Sequence, residues 1–373
     1  MKTFRKILFW MHLTAGLTAG VIIFIMCVTG ALLAFERQII EYSEKDVRYV
    51  TAANVPELDP QQVIDTLREA RPDAKPTAMS ITNEPGATWA FTLGREGHIY
   101  IDPYTGSITG EGNKSVRDAM TELRNWHRYI ALSGESRPVG KAITGASNLL
   151  FLFLAISGIY IWFPRQLRWR SIKPVIWFRP GLRGRPRNFN WHNTIGFWTS
   201  TFLIIFTLTA TVISYQWASN LLYTITGNEV PPAQQPAGNG PPGEKTYEFP
   251  SNMQLLWATA EQQSPTWKSI SLRLPIEKDS AVYTIDEGIY WNIFGRSTLA
   301  VDAKSGEIVK WEPYGAQNSA RQLRSWFRFT HTGETGGIVG QFIGLIACIG
   351  GAFLVWTGFS LALRRFRNWR SAV

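Results

Sequence analysis

The chain has 373 residues, of which 45% are hydrophobic, and it contains 16 Trp and 21 Phe. Its mean hydropathy of −0.07 is low for a protein embedded entirely in a membrane, whereas so many tryptophans are unusual in a wholly soluble one. The formal net charge is +10, but its basic residues cluster beside apolar stretches, which argues against nucleic acid as a partner.

Four stretches without any charged residue are long enough to cross a bilayer. About 20 apolar residues cross a hydrocarbon core of roughly 30 Å, and the apolar part of the third stretch covers about 191–217. We therefore predict a membrane protein with four transmembrane α-helices. The charge-free stretches lie between Lys6 and Glu36, Lys141 and Arg165, Arg187 and Glu229, and Glu334 and Arg364.

Basic residues flank these spans on alternate sides. Lys2, Arg5 and Lys6 precede the first span, eight Arg or Lys and no acid lie between Pro164 and Asn190, and four Arg follow the last span. This excess of positive charge on one side predicts that both termini are cytoplasmic. The first span is predicted to be a retained anchor, because its apolar run is too long for a signal peptide.

The spans divide the chain into eight predicted segments. Two outward segments are long enough for folded modules, and the second contains a Pro/Gly-rich linker at 228–245. In chain order the segments are a first span (1–35), a first outward module (36–116), a lead-in with the second span (117–164), a basic cytoplasmic loop (165–190), a third span (191–218), a second outward module with the linker (219–320), a lead-in with the fourth span (321–363) and a basic cytoplasmic tail (364–373).

The two halves of the chain resemble each other. The segment LRNWHRY at 123–129 matches LRSWFRF at 323–329, an offset of 200, and the first span matches the third at an offset of 180. This similarity predicts an internal two-fold repeat of helix, outward module and helix.

Each outward module is predicted to be a small α+β unit with a helix on an antiparallel sheet. Amphipathic helices are predicted at 59–71 and 251–262, and alternating strands follow each of them. Neither module contains a nucleophile–base pair or a metal-ligand cluster, so hydrolytic chemistry is not expected there. The predicted strands cover 89–93 and 98–102 in the first module and 269–274 and 281–286 in the second.

Four of the five histidines lie at the ends of predicted spans. His12 and His192 begin the first and third spans, and His127 and His331 lie just before the second and fourth. Ionisable residues at membrane depth are costly and usually functional, and neutral imidazole is the usual axial ligand of haem. The pattern predicts two haems, each ligated by two histidines, one near each leaflet. The alternative is that each histidine is an interfacial residue hydrogen-bonded to a headgroup or a neighbouring helix.

The histidine pairs differ in how well the repeat aligns them. His12 aligns with His192, but the repeat places His127 opposite Phe327, so His127 and His331 are offset by one helical turn. His98 lies in a predicted strand of the first module, and we expect it to be a solvated surface residue.

Two glycines follow the first histidine pair by one helical turn. Gly16 and Gly196 each lie four residues after their histidine, on the same helix face. A porphyrin held between helices needs a bare face, which glycine supplies. Close helix packing is the alternative reason for small residues at these positions.

Arginines flank the second histidine pair. They would either pair with haem propionates or attract an anionic chelate; the alternative is an interfacial belt of Trp and Arg that anchors the helices. The residues are Arg124, Arg128, Arg324 and Arg328.

The chain resembles the PepSY-associated transmembrane family. The resemblance rests on WMHLTAG (10–16), WHRYIALSGE (126–135), WHNTIG (191–196) and HTGETGG (331–337), together with the turns DPYTG (102–106) and DAKSG (302–306), which are typical of PepSY-like modules. Similar family members include bacterial di-haem ferric-siderophore reductases of the inner membrane.

That resemblance implies a specific activity. His12, His127, His192 and His331 would be the ligands of two haem b groups, and the protein would reduce a ferric chelate or siderophore on the periplasmic side. Electrons would come from a membrane quinol or a cytoplasmic reductant.

Two other functions remain open from the sequence. The chain is alternatively a non-enzymatic regulatory or binding membrane protein, which predicts no cofactor. A transporter is also conceivable, but the repeat is parallel and no span carries a mid-membrane charge.

Overall fold

The structure is a computed structural model that describes residues 2–94, 97–164, 168–232, 249–276, 279–288 and 295–370. Most of the predicted Pro/Gly-rich linker, from 233 onward, lies outside the described residues. The chain forms two compact units. The bundle unit comprises Met1–Glu36, Ala119–Leu222 and Phe327–Val373, and the sheet unit comprises Arg37–Asp118 and Tyr223–Trp326.

Helices and strands of the described residues follow one another along the chain, with short 3-10 turns between some of them. The helices are α1 (Lys2–Leu33), α2 (Glu36–Ser43), α3 (Lys45–Arg48), α4 (Pro60–Ala70), α5 (Lys114–Tyr129), α6 (Arg137–Trp162), α7 (Trp169–Ile176), α8 (Gly184–Ser214), α9 (Gln216–Ile225), α10 (Met253–Gln263), α11 (Ser319–His331) and α12 (Gly337–Arg370). The strands are β1 (Ala78–Thr82), β2 (Trp89–Thr92), β3 (His98–Ile101), β4 (Ile108–Glu111), β5 (Ser269–Arg273), β6 (Ser280–Asp286), β7 (Arg296–Asp302) and β8 (Ile308–Glu312).

Four long apolar helices form the bundle unit. Within the described residues, four segments are long and apolar enough to cross a membrane: Thr3–Leu33, Gly134–Trp162, Gly184–Ser214 and Glu334–Asn368. Large apolar side chains cover their outer surface, as Val21 and Ile346 show with 60% and 61% exposure. Such a surface is costly in water and suits contact with lipid. The four predicted spans are confirmed as candidate membrane helices.

Each long helix of the bundle packs against two of the other three. α1 packs against α6 and α12, and α8 packs against the same two helices. α1 and α8 therefore occupy one diagonal of the bundle, and α6 and α12 occupy the other. α8 begins at Gly184, well before the predicted start at 191, because the helix continues back through the basic stretch. It ends before Tyr215, whose backbone is extended.

Buried amides connect neighbouring helices within the bundle. The Asn148 side chain of α6 donates to the Thr207 carbonyl of α8 at 3.0 Å, and the Asn188 side chain of α8 donates to Ser360 of α12 at 2.7 Å. Because hydrocarbon cannot satisfy polar groups, side-chain hydrogen bonds between helices are favoured in a membrane.

The sheet unit contains one continuous antiparallel sheet with the order β4-β3-β2-β1-β5-β6-β7-β8. The two strand groups that we predicted as separate modules meet where β1 pairs with β5, with Ser80 opposite Ser271. The predicted strands are present, with β3 and β6 beginning at His98 and Ser280.

Two helices cover one face of this sheet. Their apolar residues, including Val63 and Leu67 of α4 and Leu256 of α10, form one core with the alternating inward residues of the strands. Asp59 caps α4 in a reciprocal capping box with Gln62, which explains why the helix begins at the predicted position. The result is a two-layer α+β arrangement.

A buried carboxylate organises the first strand group. The Glu44 side chain accepts hydrogen bonds from Arg117 Nε at 2.5 Å and Nη2 at 2.7 Å, from the Tyr100 hydroxyl at 2.9 Å and from the Asn113 backbone N–H at 2.9 Å. Burial opposes ionisation of this carboxyl, but the hydrogen bonds from Arg117 and Tyr100 outweigh it, and the pKa lies below 4.5. Glu44 thus links the start of α3 to β3 and α5.

We expect Glu44→Gln to destabilise this part of the sheet unit by about 1–3 kcal/mol at neutral pH, because it removes the negative charge and one of the two oxygens that pair with Arg117. The Glu44 contribution is fully present above pH 4.5 and is lost as the pH falls through the lowered pKa of the folded state. Hydrogen exchange of the amides near Tyr100 and Asn113 in the full chain measures the effect. Glu41→Gln is the control, because Glu41 is exposed and pairs with Arg37 on the same helix; equal exchange in both variants would contradict the prediction.

Candidate functional site

The predicted haem ligands His12 and His192 lie at the end of the bundle where α1 begins and α12 ends. We call this end the terminal end. His12 Nδ1 lies 2.8 Å from the Ser157 hydroxyl of α6, and His192 Nδ1 lies 2.8 Å from the Thr357 hydroxyl of α12. One diagonal of the bundle therefore carries the imidazoles, and the other carries the hydroxyls that contact them.

These hydroxyls favour one tautomer of each ring. A hydroxyl has one hydrogen, and Thr357 donates its hydrogen to the Phe353 carbonyl at 2.7 Å. The Thr357 oxygen then accepts from His192 Nδ1–H. Ser157 likewise donates to its own helix, at Leu154. This arrangement favours the tautomer with the proton on Nδ1 in both histidines, which leaves Nε2 the free lone pair that a metal ligand needs.

The same arrangement recurs at the opposite end of the bundle, where α1 ends and α6 begins. His127 Nδ1 lies 3.0 Å from the Thr29 hydroxyl, which donates to the Ile25 carbonyl. His331 Nδ1 lies 3.0 Å from the Phe206 carbonyl and 3.3 Å from the Thr209 hydroxyl. Because a carbonyl only accepts, His331 must be protonated at Nδ1. Here α1 and α8 supply the hydroxyls, and the imidazoles come from α5 and α11, the helices that precede α6 and α12.

The structure brings His127 and His331 together although the repeat does not align them. Their ring centroids are 6.3 Å apart, with the planes tilted by 50°. A metal–nitrogen bond of roughly 2 Å on each side and roughly 1 Å from Nε2 to each ring centre give a separation of about 6 Å for two imidazoles on one metal ion. Burial lowers the pKa of His127 to about 4 and also lowers that of His331, so both rings are neutral near pH 7.

The helix endings before the second and fourth spans differ at these histidines. α5 ends at Tyr129, and Ile130 and Ala131 take positive φ values of 52° and 56°. α11 continues as a helix to His331, which occupies the position that aligns with Ala131. The two lead-in segments thus differ in backbone conformation at the point where their histidines are offset.

Gly16 and Gly196 both have room for a side chain. A Cβ added at Gly16 would lie 3.8 Å from Leu154, and one at Gly196 would lie 3.6 Å from Leu354, both ordinary contact distances. Close helix packing therefore does not explain these two glycines.

Other glycines lie directly against the imidazoles. A Cβ at Gly158 would come within 3.5 Å of His12 Cε1, and one at Gly358 within 3.7 Å of His192 Cε1. At the opposite end, a Cβ at Gly30 would come within 3.2 Å of His127 Cε1, which is tight. At Gly30 the missing side chain leaves space for the His127 ring, whereas Gly158 and Gly358 lie at ordinary contact distance from their rings.

The four arginines predicted to lie near the second histidine pair differ in their surroundings. Arg124 forms an ion pair with Glu36 and donates to Thr121 at 2.6 Å. Arg128 and Arg328 are exposed, and their guanidinium groups lie over the rings of the adjacent aromatic residues at 5.2 and 5.6 Å. Neither forms an ion pair with another described residue, so both are available to an anion. Arg324 is exposed and belongs to the sheet unit.

The expectation that His98 is a solvated surface residue is wrong. Its ring is half-buried in the sheet unit and stacks on Tyr100 at 6.5 Å, and its Nδ1 is buried without a hydrogen-bond partner among the described residues. Burial, with a smaller effect from Arg117, lowers its pKa to about 4. The residues that enclose it come from distant parts of the sequence, which its strand pattern does not reveal.

Sequence reasoning missed the four hydroxyl residues, although a signal was present. Ser157 and Thr357 align at the offset of 200, and Thr29 and Thr209 align at the offset of 180. A search for hydroxyl residues that recur with the histidines at these offsets would have found them. The same search would also have returned Thr14 with Thr194 and Thr105 with Ser305.

Two imidazoles are the ligands that each site offers among the described residues. In the described part of the chain, no group of three or more His, Cys, Asp or Glu residues is close enough to hold a metal ion. A metal ion at either histidine pair would therefore bring its remaining ligands with it.

Four apolar spans, with one histidine pair in the first and third spans and another just before the second and fourth, define a multi-span membrane protein with polar sites in its helix bundle. The chain belongs to the family described as the PepSY-associated TM region, which matches residues 9–365. The sheet unit is consistent with the PepSY-like modules predicted from the sequence. A search of curated proteins finds no match.

We expect Thr357→Val to destabilise the bundle by about 0.5–1.5 kcal/mol, because it removes the Thr357 oxygen from the buried His192 ring at nearly constant shape and leaves the ring N–H only the Leu354 carbonyl as acceptor. Thr357→Ser should retain most of the stability. Thermal unfolding of the purified full chain in detergent measures the effect. Thr18→Val is the control, since Thr18 is exposed and its hydroxyl donates within its own helix; an equal loss in the control would refute the assignment.

Proposed function

We propose that this protein is a transmembrane di-haem electron carrier that reduces a ferric chelate, such as a siderophore, on the periplasmic side of the bacterial inner membrane. His12 and His192 would hold one haem b, and His127 and His331 the other. One observation carries the proposal: each of these histidines has its Nδ1 engaged by a hydroxyl of a neighbouring helix, which leaves Nε2 for iron.

The donor set suits haem better than a bare metal ion. Two imidazoles satisfy the two axial positions of a haem, whose macrocycle brings the four equatorial nitrogens, whereas a metal bound by protein alone needs a third or fourth ligand. Haem with two axial histidines supplies one-electron transfer and binds neither O₂ nor substrate directly. The residues of the chain orient the ligands, exclude water and keep both imidazoles neutral.

The two candidate sites lie at different depths. Along α1, His12 and Thr29 are 17 residues apart, which corresponds to about 26 Å in a helix, and His192 and Thr209 have the same spacing in α8. This separation is close to the thickness of a hydrocarbon core of roughly 30 Å, so each pair would lie near one leaflet. Two sites would then relay electrons across the low-dielectric layer.

The proposed two-fold repeat gains support from the same contacts. Each histidine pair takes one ring from each half of the chain, and each pair of hydroxyls also takes one from each half. Basic residues near the terminal end favour a cytoplasmic location for that end. We therefore infer that electrons enter there, from a quinol or a cytoplasmic reductant, and leave at the opposite end.

Arg128 and Arg328 favour an anionic acceptor. Both guanidinium groups are exposed, lie next to the His127–His331 pair in the chain, and make no ion pair with another described residue. Ferric chelates with carboxylate or catecholate groups carry negative charge, which such arginines attract. Arg124, in contrast, is engaged by Glu36, and we assign it a structural role.

The first test is the haem content of the purified full chain. We expect two haems per chain with the spectrum of bis-histidine iron, and the loss of one haem each in His192→Ala and His331→Ala. His98→Ala is the matched control and should keep both, since His98 belongs to the sheet unit. A missing Soret band, or unchanged haem content in His192→Ala, would favour the regulatory or binding protein instead.

The second test concerns the acceptor. The reduced protein should be reoxidised by an anionic ferric chelate, with one electron passing to each Fe(III) to give Fe(II). Replacing Arg128 and Arg328 with Gln should slow this reaction by about tenfold at low salt, with a smaller effect at high salt because screening already weakens the attraction. Stopped-flow absorbance measures the rate. Lys141→Gln, which removes an exposed charge from α6, is the control; the same slowing there, or no reoxidation by any ferric chelate, contradicts the assignment.

A further inference from the structure

A groove of about 580 Å³ opens at the terminal end of the bundle unit, between the segment after α7, the start of α8 and α12. Apolar side chains form most of its wall, among them Trp191 and Ile195 of α8 and Phe353 of α12. Arg179 and Arg187 line it as well. The groove is therefore amphipathic, with an apolar wall and two cations.

A buried amide fixes the segment that borders the groove. The Asn190 side chain donates to the carbonyls of Pro174 and Trp177 at 2.8 and 3.1 Å and accepts from the Arg179 backbone N–H at 3.0 Å. The Trp198 indole N–H also donates to the Ile176 carbonyl, at 2.9 Å. These bonds hold the chain around Arg179 against α8, so hydrogen bonds fix the backbone that lines the groove.

The two arginines are not neutralised by acids. The guanidinium group of Arg187 lies over the Trp191 ring at 5.1 Å, and that of Arg179 is exposed. Neither forms an ion pair with another described residue. The sequence offers no acid between Pro164 and Asn190, where eight basic residues lie. The positive charge at this groove must be balanced from outside the chain.

The charged and the apolar residues of the groove follow one another along the axis of α8. Arg187 lies in the first turn of α8, and Ile195 lies eight residues further into the span, which is about 12 Å along the helix. A ligand that fills this groove needs a negative head and an apolar tail of at least that length.

We propose that this groove binds an anionic phospholipid, with its phosphate at Arg179 and Arg187 and an acyl chain against Trp191, Ile195 and Phe353. Basic pockets between membrane helices are suited to anionic headgroups. A free phosphate would leave the apolar wall exposed, and an uncharged quinol would leave the two cations without a partner.

The bound lipid lies against residues that border the terminal histidine pair. Trp191 directly precedes His192, and the Phe353 carbonyl accepts the hydroxyl of Thr357, which orients His192. The lipid thus supports the wall of this site from outside. The proposal does not depend on haem, because the groove and its charges are present in the chain itself.

The test uses the full chain in detergent, with phosphatidylglycerol and phosphatidylcholine as probes and native mass spectrometry as the readout. We expect phosphatidylglycerol to bind more tightly than phosphatidylcholine. Replacing Arg179 and Arg187 with Gln should weaken phosphatidylglycerol binding by about tenfold, since each basic residue contributes appreciably to anionic lipid binding. The control replaces Arg183 and Arg185 with Gln, which changes the charge equally in the same basic stretch and should weaken binding by less than about twofold.

Four results would overturn the proposal. They are equal weakening in both double variants, equal binding of the two lipids, competition by inorganic phosphate at the lipid's own concentration, and displacement of phosphatidylglycerol by a neutral quinone analogue. If the double variant does not fold, Arg179→Gln alone keeps the test decisive, since this exposed side chain makes no ion pair in the described part of the chain. Its binding should fall several-fold, and unchanged binding would also refute the assignment.

Discussion

The hydrogen bond between an imidazole Nδ1–H and an oxygen of a neighbouring helix is the interaction on which the bundle unit depends. A buried N–H without an acceptor is expensive in a low-dielectric interior, so each histidine is stable only where its partner helix presents an oxygen. Each bond also decides which ring nitrogen keeps its lone pair. Packing of the helices and the chemistry of the site are therefore set by the same contacts.

These contacts constrain all four long helices at once. α1 offers His12 at one end and Thr29 at the other, and α8 offers His192 and Thr209 in the same order. A rotation of either helix that improved one end would break the bond at the other. The relative positions of the helices are thus set by a few hydrogen bonds at each end of the bundle. Single buried amides such as Asn148 add further bonds between helices.

The sequence predicts those features that are local. The spans follow from charge-free length, and the helix at 60–70 follows from the cap at Asp59 and the amphipathic pattern. The pairing of β1 with β5 was missed because β1 was not predicted, and α7 and α9 are short helices without clear signals. The histidines were found from their positions, but Thr29 and Ser157 become meaningful only when helices distant in sequence are placed side by side. The burial of His98 was not predicted either, because the residues that enclose its ring are distant from it in sequence.

The pairing of β1 with β5 has a consequence for how the chain is made. Either half expressed alone would end its sheet with an unpaired central strand, whose N–H and C=O groups invite association with other chains. The first half of the chain leaves the ribosome while the residues of β5 are still untranslated, so β1 has no partner strand on that side at this stage of synthesis. Two separately translated halves would be expected to find each other through the same edge and reconstitute the sheet.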